Sequence, residues 1–236
     1  MPDEIVCNDC MRLLHDWQQL PMPGTTCGAL TCGMYRGNIR QAILAWKDHG
    51  DEECNTPFAI ALADLLTVLL RHNGYSTYRT DNASASNMGG TDHATGRTDR
   101  PVLLVPAPSS RSSMRRRGRW HMRALAVRAA RMLSHQGFDV RVIPLLRTTG
   151  VSSKSVQMNT IAQRSHRLAG RIAVQRRVFN QHNTTDGDEM RVILLDDIIT
   201  SGATATYCVQ ALRDVGAEVL AVVTLAYTPD PRQART

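Results

Sequence analysis

The sequence predicts an α/β protein built on a parallel sheet. Three observations carry this expectation. The second half alternates short, predominantly apolar strands with amphipathic helices, the strands being Val102–Val105, Val140–Pro144, Arg191–Leu195 and Glu218–Ala226. Such strands are buried on both faces, as in sheets covered by helices on each side. The strand–helix–strand order is that of right-handed parallel crossovers. At 236 residues, 42% hydrophobic and 21% charged, the chain has enough apolar material for one large domain with a small module.

The intervening helices follow from periodicity. Residues 120–135 place Leu125, Ala126, Ala129 and Leu133 on one face, and residues 203–215 form a helix closed by Gly216. Upstream, Asn38 to Lys47 carries an apolar stripe of Ile39, Ile43, Leu44 and Trp46, and a second helix starts with Thr56 as N-cap and Pro57 in its first turn. Residues 76–100 are polar, rich in Ser and Asn, and without period, which predicts a loop or linker. Residues 154–171 are polar and read as helical, and residues 147–171, with Arg147, Lys154 and Arg164, are expected to act as a lid. The expected division is a cysteine-rich module over 1–33, a helical connection over 34–75, the linker over 76–100, the α/β domain over 101–230 and a disordered tail over 231–236.

Composition excludes several classes. The longest apolar run, Phe58 to Leu70, is interrupted by Asp64 and falls short of the about 18–20 residues needed to cross a bilayer. Membrane insertion is therefore not expected. The opening Met1-Pro2-Asp3-Glu4-Ile5-Val6 has neither the basic nor the apolar region of a signal peptide, so a cytoplasmic setting is expected. The net charge is +7. No acid lies between Pro101 and Phe138, where Arg111, Arg115, Arg116, Arg117, Arg119, Arg123, Arg128 and Arg131 cluster. Such a block attracts phosphate, whether of a nucleotide, a nucleic acid or a pyrophosphate, and a plain solvated helix face explains it equally well.

The most informative segment is Val192-Ile193-Leu194-Leu195-Asp196-Asp197-Ile198-Ile199-Thr200-Ser201-Gly202-Ala203-Thr204. An apolar strand runs into two adjacent carboxylates, and a Thr/Ser/Gly turn then opens a helix. The unpaired N–H groups of a helix start suit a phosphate. Thr200, Ser201 and Thr204 add hydroxyls, while Gly202 and Ala203 let the backbone approach. Asp196 and Asp197 suit sugar hydroxyls or Mg²⁺ through water. Because both acids stand where the strand ends, neither is expected to matter for the buried sheet. A nucleotide triphosphatase strand also ends in acids but needs a G-x-x-x-x-G-K-S/T loop. The two lysines, Lys47 after Trp46 and Lys154 after Ser153, stand in no such loop.

This segment resembles the phosphoribosyl-pyrophosphate (PRPP) motif of type I phosphoribosyltransferases, and the chain as a whole is similar to the ComF family of competence-associated, phosphoribosyltransferase-like proteins. Tyr35-Arg36-Gly37, Ile43 and Lys47 with Gly50-Asp51 resemble one block of that family, and Val105-Pro106-Ala107-Pro108 with Arg117-Gly118 another. Gln157 and Arg164 stand near a third. The chain departs from the family at Arg119-Trp120-His121, on the acceptor side. The resemblance implies a type I phosphoribosyltransferase-like fold binding PRPP or ribose 5-phosphate with Mg²⁺. It assigns Asp196 and Asp197 to the ribose, Thr200 to Thr204 to the 5-phosphate and Arg117 with Gly118 to the pyrophosphate. It also implies an alternative, a non-catalytic accessory protein of DNA uptake that binds single-stranded DNA beside a competence helicase. Trp120 and His121 could stack on a base, although a tryptophan at a helix start is more often a packing anchor.

Cys7-x₂-Cys10 and Cys27-x₄-Cys32 form two short-spaced pairs, a pattern suited to a tetrahedral structural Zn²⁺ in a ribbon over residues 1–33. Free reduced thiols are the alternative, and His15 or Cys54 is a substitute ligand.

Overall fold

The computed structural model describes residues 6–22, 24–75, 77, 101–109, 114–115, 118–149, 172–182 and 189–229. A six-stranded sheet organises them. In chain order its strands are β1 (Gln18–Leu20), β2 (Ala29–Met34), β3 (Val102–Pro106), β4 (Val140–Val142), β7 (Met190–Ile199) and β8 (Ala217–Tyr227). Their spatial order is β1-β2-β8-β7-β3-β4, parallel throughout except for the antiparallel pair β1–β2. The remaining strands, β5 (Leu146–Thr148) and β6 (Ile172–Val174), pair antiparallel as a separate ribbon.

Alternation along the strands sorts the apolar side chains into two cores. In β3, Val102 and Leu104 face one side while Leu103 and Val105 face the other, and β7 splits Ile193 and Leu195 from Val192 and Leu194 in the same way. The first core is covered by α2 (Gly37–Leu44), α3 (Asn55–His72) and α4 (His121–His135), with Trp46 and Phe58 fully buried in it. The second is covered by α6 (Ala203–Arg213), with the β5–β6 ribbon and α5 (Arg176–His182) against it. This is the parallel, doubly covered sheet that the strand–helix alternation predicts.

Several boundaries differ from expectation. The helix expected from Thr56 begins at Asn55, behind a 3₁₀ turn at Glu52–Cys54. Together they make a continuous stretch, Glu52–His72, long and apolar enough to span a bilayer by length and composition, contrary to the reading from Phe58–Leu70 alone. Of its most apolar window 67% is buried, Leu62, Leu66 and Leu70 completely, which is the pattern of a core helix. The helix expected to reach Lys47 ends as an α-helix at Leu44 and continues as a π-helical turn, Ala45–His49, closed by Gly50 at φ +81°. Residues 78–100, 150–171 and 230–236, which include nearly all of the expected linker, the lid segment and the tail, lie outside the described residues.

The four-thiolate site is not formed. Among the described residues no group of three or more His, Cys, Asp or Glu side chains could hold a metal ion. The physical reason is parity. The Gly28 carbonyl already accepts a bond from Val222 N–H, so Cys27 enters a pairing strand, and Cys32 stands five positions further on. An odd spacing in a pleated strand sends the two thiols to opposite faces: Cys27 belongs to the second core and Cys32 to the first. The substitute ligands are committed elsewhere, His15 lying 2.9 Å from Asp64 and Cys54 being buried. Residues 18–20 and 29–34 stand within the main sheet.

Helix α1 (Asn8–Leu13) crosses directly over β2. A Cβ on Gly33 would come within 2.3 Å of the Leu13 carbonyl oxygen, whereas one on Gly28 would meet only ordinary contacts at 3.5 Å and beyond. Gly33→Ala is therefore expected to lower stability by about 1–3 kcal/mol, and Gly28→Ala by much less. Urea denaturation of both variants checks the packing of α1 on the sheet.

Candidate active site

The carboxyl end of the sheet, where β3 stops at Pro106 beside Leu195 while β7 runs on, opens a cavity of about 370 Å³. Its lining comes from four parts of the chain. The turn after α2 gives Lys47, the loop after β3 gives Ala107 to Ser109, the start of α4 gives His121 and Met122, and β7 with the turn after it gives Asp196, Asp197, Thr200 and Thr204. Clefts of this kind sit beyond the strand ends because the connecting loops diverge there to opposite faces.

Strand β7 does not stop before the acids. It continues to Ile199, pairing Asp196 with Thr224 and Ile198 with Ala226 on β8. Both carboxylates thus belong to the sheet, and the pleat sends them apart. Asp197 points toward α4 on the side of Ile193 and Leu195, while Asp196 stands on the side of Val192 and Leu194, where its charge reaches the Cys208 thiol on α6. The expectation that neither acid matters for the sheet is corrected for Asp197, which is only 7% exposed. Its Oδ2 accepts the Lys47 ammonium and, at 3.0 Å, the Nε2–H of His121. Its backbone N–H donates to Asp196 Oδ1 at 2.9 Å.

Lys47 is held by construction. The indole of Trp46 fills the core edge-on to Phe58 and to His121, with centroids 5.4 and 4.9 Å away, and its Nε1–H donates to Asn55 Oδ1 at 2.8 Å. The Trp46 carbonyl accepts from Arg119 Nη2, whose Nη1 meets Glu52 at 2.6 Å. Trp120 behaves as a packing anchor, its Nε1–H donating to the Ala107 carbonyl at 3.1 Å.

Of the residues expected at the site, Asp196, Asp197, Thr200 and Thr204 line the cavity, and Gly202 is the N-cap of α6 at φ +73°, a conformation that favours glycine. No side chain caps that helix start. Ser201 is exposed, and neither it nor Ala203 lines the cavity. Gly118 adopts φ +68° and donates to the Met114 carbonyl, while Arg117 lies outside the described residues. Lys47 and His121 are the residues that sequence reasoning missed as site members. The signal for Lys47 was its place in the Tyr35…Gly50-Asp51 block; for His121 there was only its proximity to the arginine cluster.

The two acids are driven in opposite directions. Burial, and then the charge of Asp197, push the Asp196 carboxyl up to about 7. Burial would also raise Asp197, but the His121 hydrogen bond and the Lys47 ammonium outweigh it and hold the group at about 2. These carboxylates do not fit direct coordination of Mg²⁺. One oxygen of Asp197 already takes two donors, the Lys47 ammonium among them.

The signs give a stability test. A raised acid pKa favours the protonated fold, so Asp196 withdraws stability as pH rises from about 4 through 7. Asp197 contributes stability above about pH 4 that is lost as pH falls toward 2. Asp196→Asn should therefore gain stability relative to the parent progressively between pH 4 and 7. Asp197→Asn should lose about 1–3 kcal/mol at neutral pH, with the deficit closing below pH 4. Urea midpoints measured from pH 3 to 8 check both; parallel profiles for parent and Asp196→Asn would contradict the assignment.

Residues 125–235 match the family described as the phosphoribosyl transferase domain. No curated protein matches the chain. Among solved structures, the hypoxanthine-guanine phosphoribosyl transferase of L. donovani is similar at 15% identity over 77% of this chain and 72% of that one, with a TM-score of 0.41. The hypoxanthine phosphoribosyl transferase of Trypanosoma cruzi is similar at 14% identity over 76% and 75%, with a TM-score of 0.39. The parallel sheet together with the domain match over residues 125–235 makes this an α/β protein with a phosphoribosyltransferase-like fold.

Proposed function

We propose that the cavity binds PRPP, or its ribose 5-phosphate part, and that the protein transfers the phosphoribosyl group to an amine or base with release of pyrophosphate. The observation that carries this reading is the β7–α6 junction. It brings two carboxylates and two threonine hydroxyls to one cavity at the carboxyl end of parallel strands, Thr204 standing in the first turn of a helix whose start has no side-chain cap. The domain match over the same segment supports it, and a place in the ComF family belongs to the same proposal. The alternative of a DNA-uptake accessory protein, bound to single-stranded DNA and a helicase, gains nothing from the aromatic side chains near the site, since Trp46 is buried and Trp120 is a packing anchor. Six free cysteines, four of them buried, suit a reducing, cytoplasmic setting.

In this reading the 5-phosphate sits over the first turn of α6, taking N–H groups of the helix start and the hydroxyls of Thr200 and Thr204. Asp197, kept anionic by Lys47 and His121, accepts a ribose hydroxyl through Oδ1. Asp196 stands on the other side of the strand for the second hydroxyl. As the bond from C1 of the ribose to pyrophosphate lengthens, positive charge develops on the sugar ring, and the anionic Asp197 stabilises it from a fixed position. Arg117 and Gly118 are proposed to meet the departing pyrophosphate. Mg²⁺, brought with the PRPP, would supply charge neutralisation to the leaving group.

Calorimetric titration with PRPP and Mg²⁺, followed by assay of pyrophosphate release with candidate acceptors, tests the proposal. Binding at millimolar concentration or tighter is expected. Thr204→Val keeps the shape and removes a phosphate donor, and should weaken binding about tenfold, as hydrogen bonds to charged groups are worth about 1.5–3 kcal/mol. Absence of PRPP binding by the parent protein would overturn the reading.

A further inference from the structure

Lysine is scarce in this chain, with two residues against 26 arginines, and one of the two stands in the cavity. An ammonium is a compact charge that occupies the volume of a small cation, whereas a guanidinium is a broad plane. Lys47 delivers that compact charge to Asp197 Oδ2, the oxygen that also accepts His121 Nε2–H. Its location does not depend on the ion pair alone. The π-helical turn is pinned by the buried Trp46, by the Trp46–Asn55 hydrogen bond and by Arg119 on the Trp46 carbonyl. A divalent cation placed on Asp197 would have to displace an ammonium that the core holds there, and the two would repel each other.

We propose that Lys47 is the built-in counter-ion of the Asp196–Asp197 pair, taking the position of a metal at these carboxylates, so that ribose 5-phosphate binds the cavity without a divalent cation on the protein. The inference rests on the reading of the cavity as a sugar-phosphate site and adds where its positive charge comes from. With its charge balanced in advance, the carboxylate pair does not repel an incoming phosphate. Lys47 is accordingly a positioning residue: it acts through Asp197.

Two measurements test this. Titration with ribose 5-phosphate, which lacks the diphosphate that would chelate Mg²⁺, is run in EDTA and in excess Mg²⁺. The parent is expected to bind with affinities within about twofold in the two conditions. Lys47→Met, which keeps the length of a side chain only 22% exposed, should bind about tenfold or more weakly in EDTA and recover in part with Mg²⁺. Lys47→Arg, which keeps the charge but on a broader plane, should bind more weakly than the parent and gain nothing from Mg²⁺. A parent that needs Mg²⁺ for ribose 5-phosphate, or a Lys47→Met variant that binds as the parent does, overturns the proposal. The second measurement uses no sugar phosphate: Mn²⁺ is added to the free protein and paramagnetic broadening is read at the methyl groups of Ala107, Ile198 and Thr200. None is expected in the parent and strong broadening in Lys47→Met; broadening in the parent overturns the proposal. If Mn²⁺ behaves as expected while ribose 5-phosphate binds to no form, the counter-ion role stands and the sugar-phosphate reading is what fails.

Discussion

A carboxylate that is nine-tenths buried keeps its charge only if a cation is brought to it, and Asp197 imposes that demand on everything around it. Leaving such a group unpaired costs several kcal/mol. The demand is met from two places far apart in sequence, the turn after α2 and the first residue of α4. Both must be in position on the first core before the carboxylate can be tolerated. Trp46 does this mechanically, because the residue adjacent to Lys47 is a fully buried indole whose ring also meets His121. Site electrostatics and core packing are thus one structure: the aromatic contacts that stabilise the fold also aim the ammonium.

The sheet then determines how two adjacent acids are used. Because β7 runs on through Asp196 and Asp197, the pleat turns a sequence neighbour pair into two separate environments. One carboxylate looks to the helix layer that supplies Lys47 and His121, the other to α6 and Cys208. Their opposite pKa directions follow from that division and not from any difference in residue type.

The fold class was legible because strands buried on both faces carry unbroken apolar runs, as β3 does throughout, β7 over Val192–Leu195 and β8 over Val219–Val223. The β7–α6 junction was legible because acids, threonines and glycine follow an apolar run at fixed spacing. Lys47 and His121 were not, since each is one polar residue in a helical segment and their partner lies far along the chain. The cysteine pairs misled for a related reason. Short spacing reports proximity along the chain, yet a pleated strand converts the odd step from Cys27 to Cys32 into burial on opposite faces. Parity could be read only once residues 29–34 were known to be a strand. The boundary at Leu195 failed because carboxylates discourage a strand assignment, although β8 pairs with Asp196, Ile198 and Ile199 beyond it.

The strand order bears on the timing of folding. β2 is made well before its parallel partner β8, with Ala29 opposite Val222, so a long stretch of chain separates the two. Until β8 leaves the ribosome, β2 has only the short β1 for a neighbour and presents an apolar edge to the cell. Pairings this distant in sequence make for slow folding and for nascent chains that need protection from aggregation. The final strand also separates β2 from β7, so its arrival joins the first-made part of the sheet to the strand that carries the carboxylates.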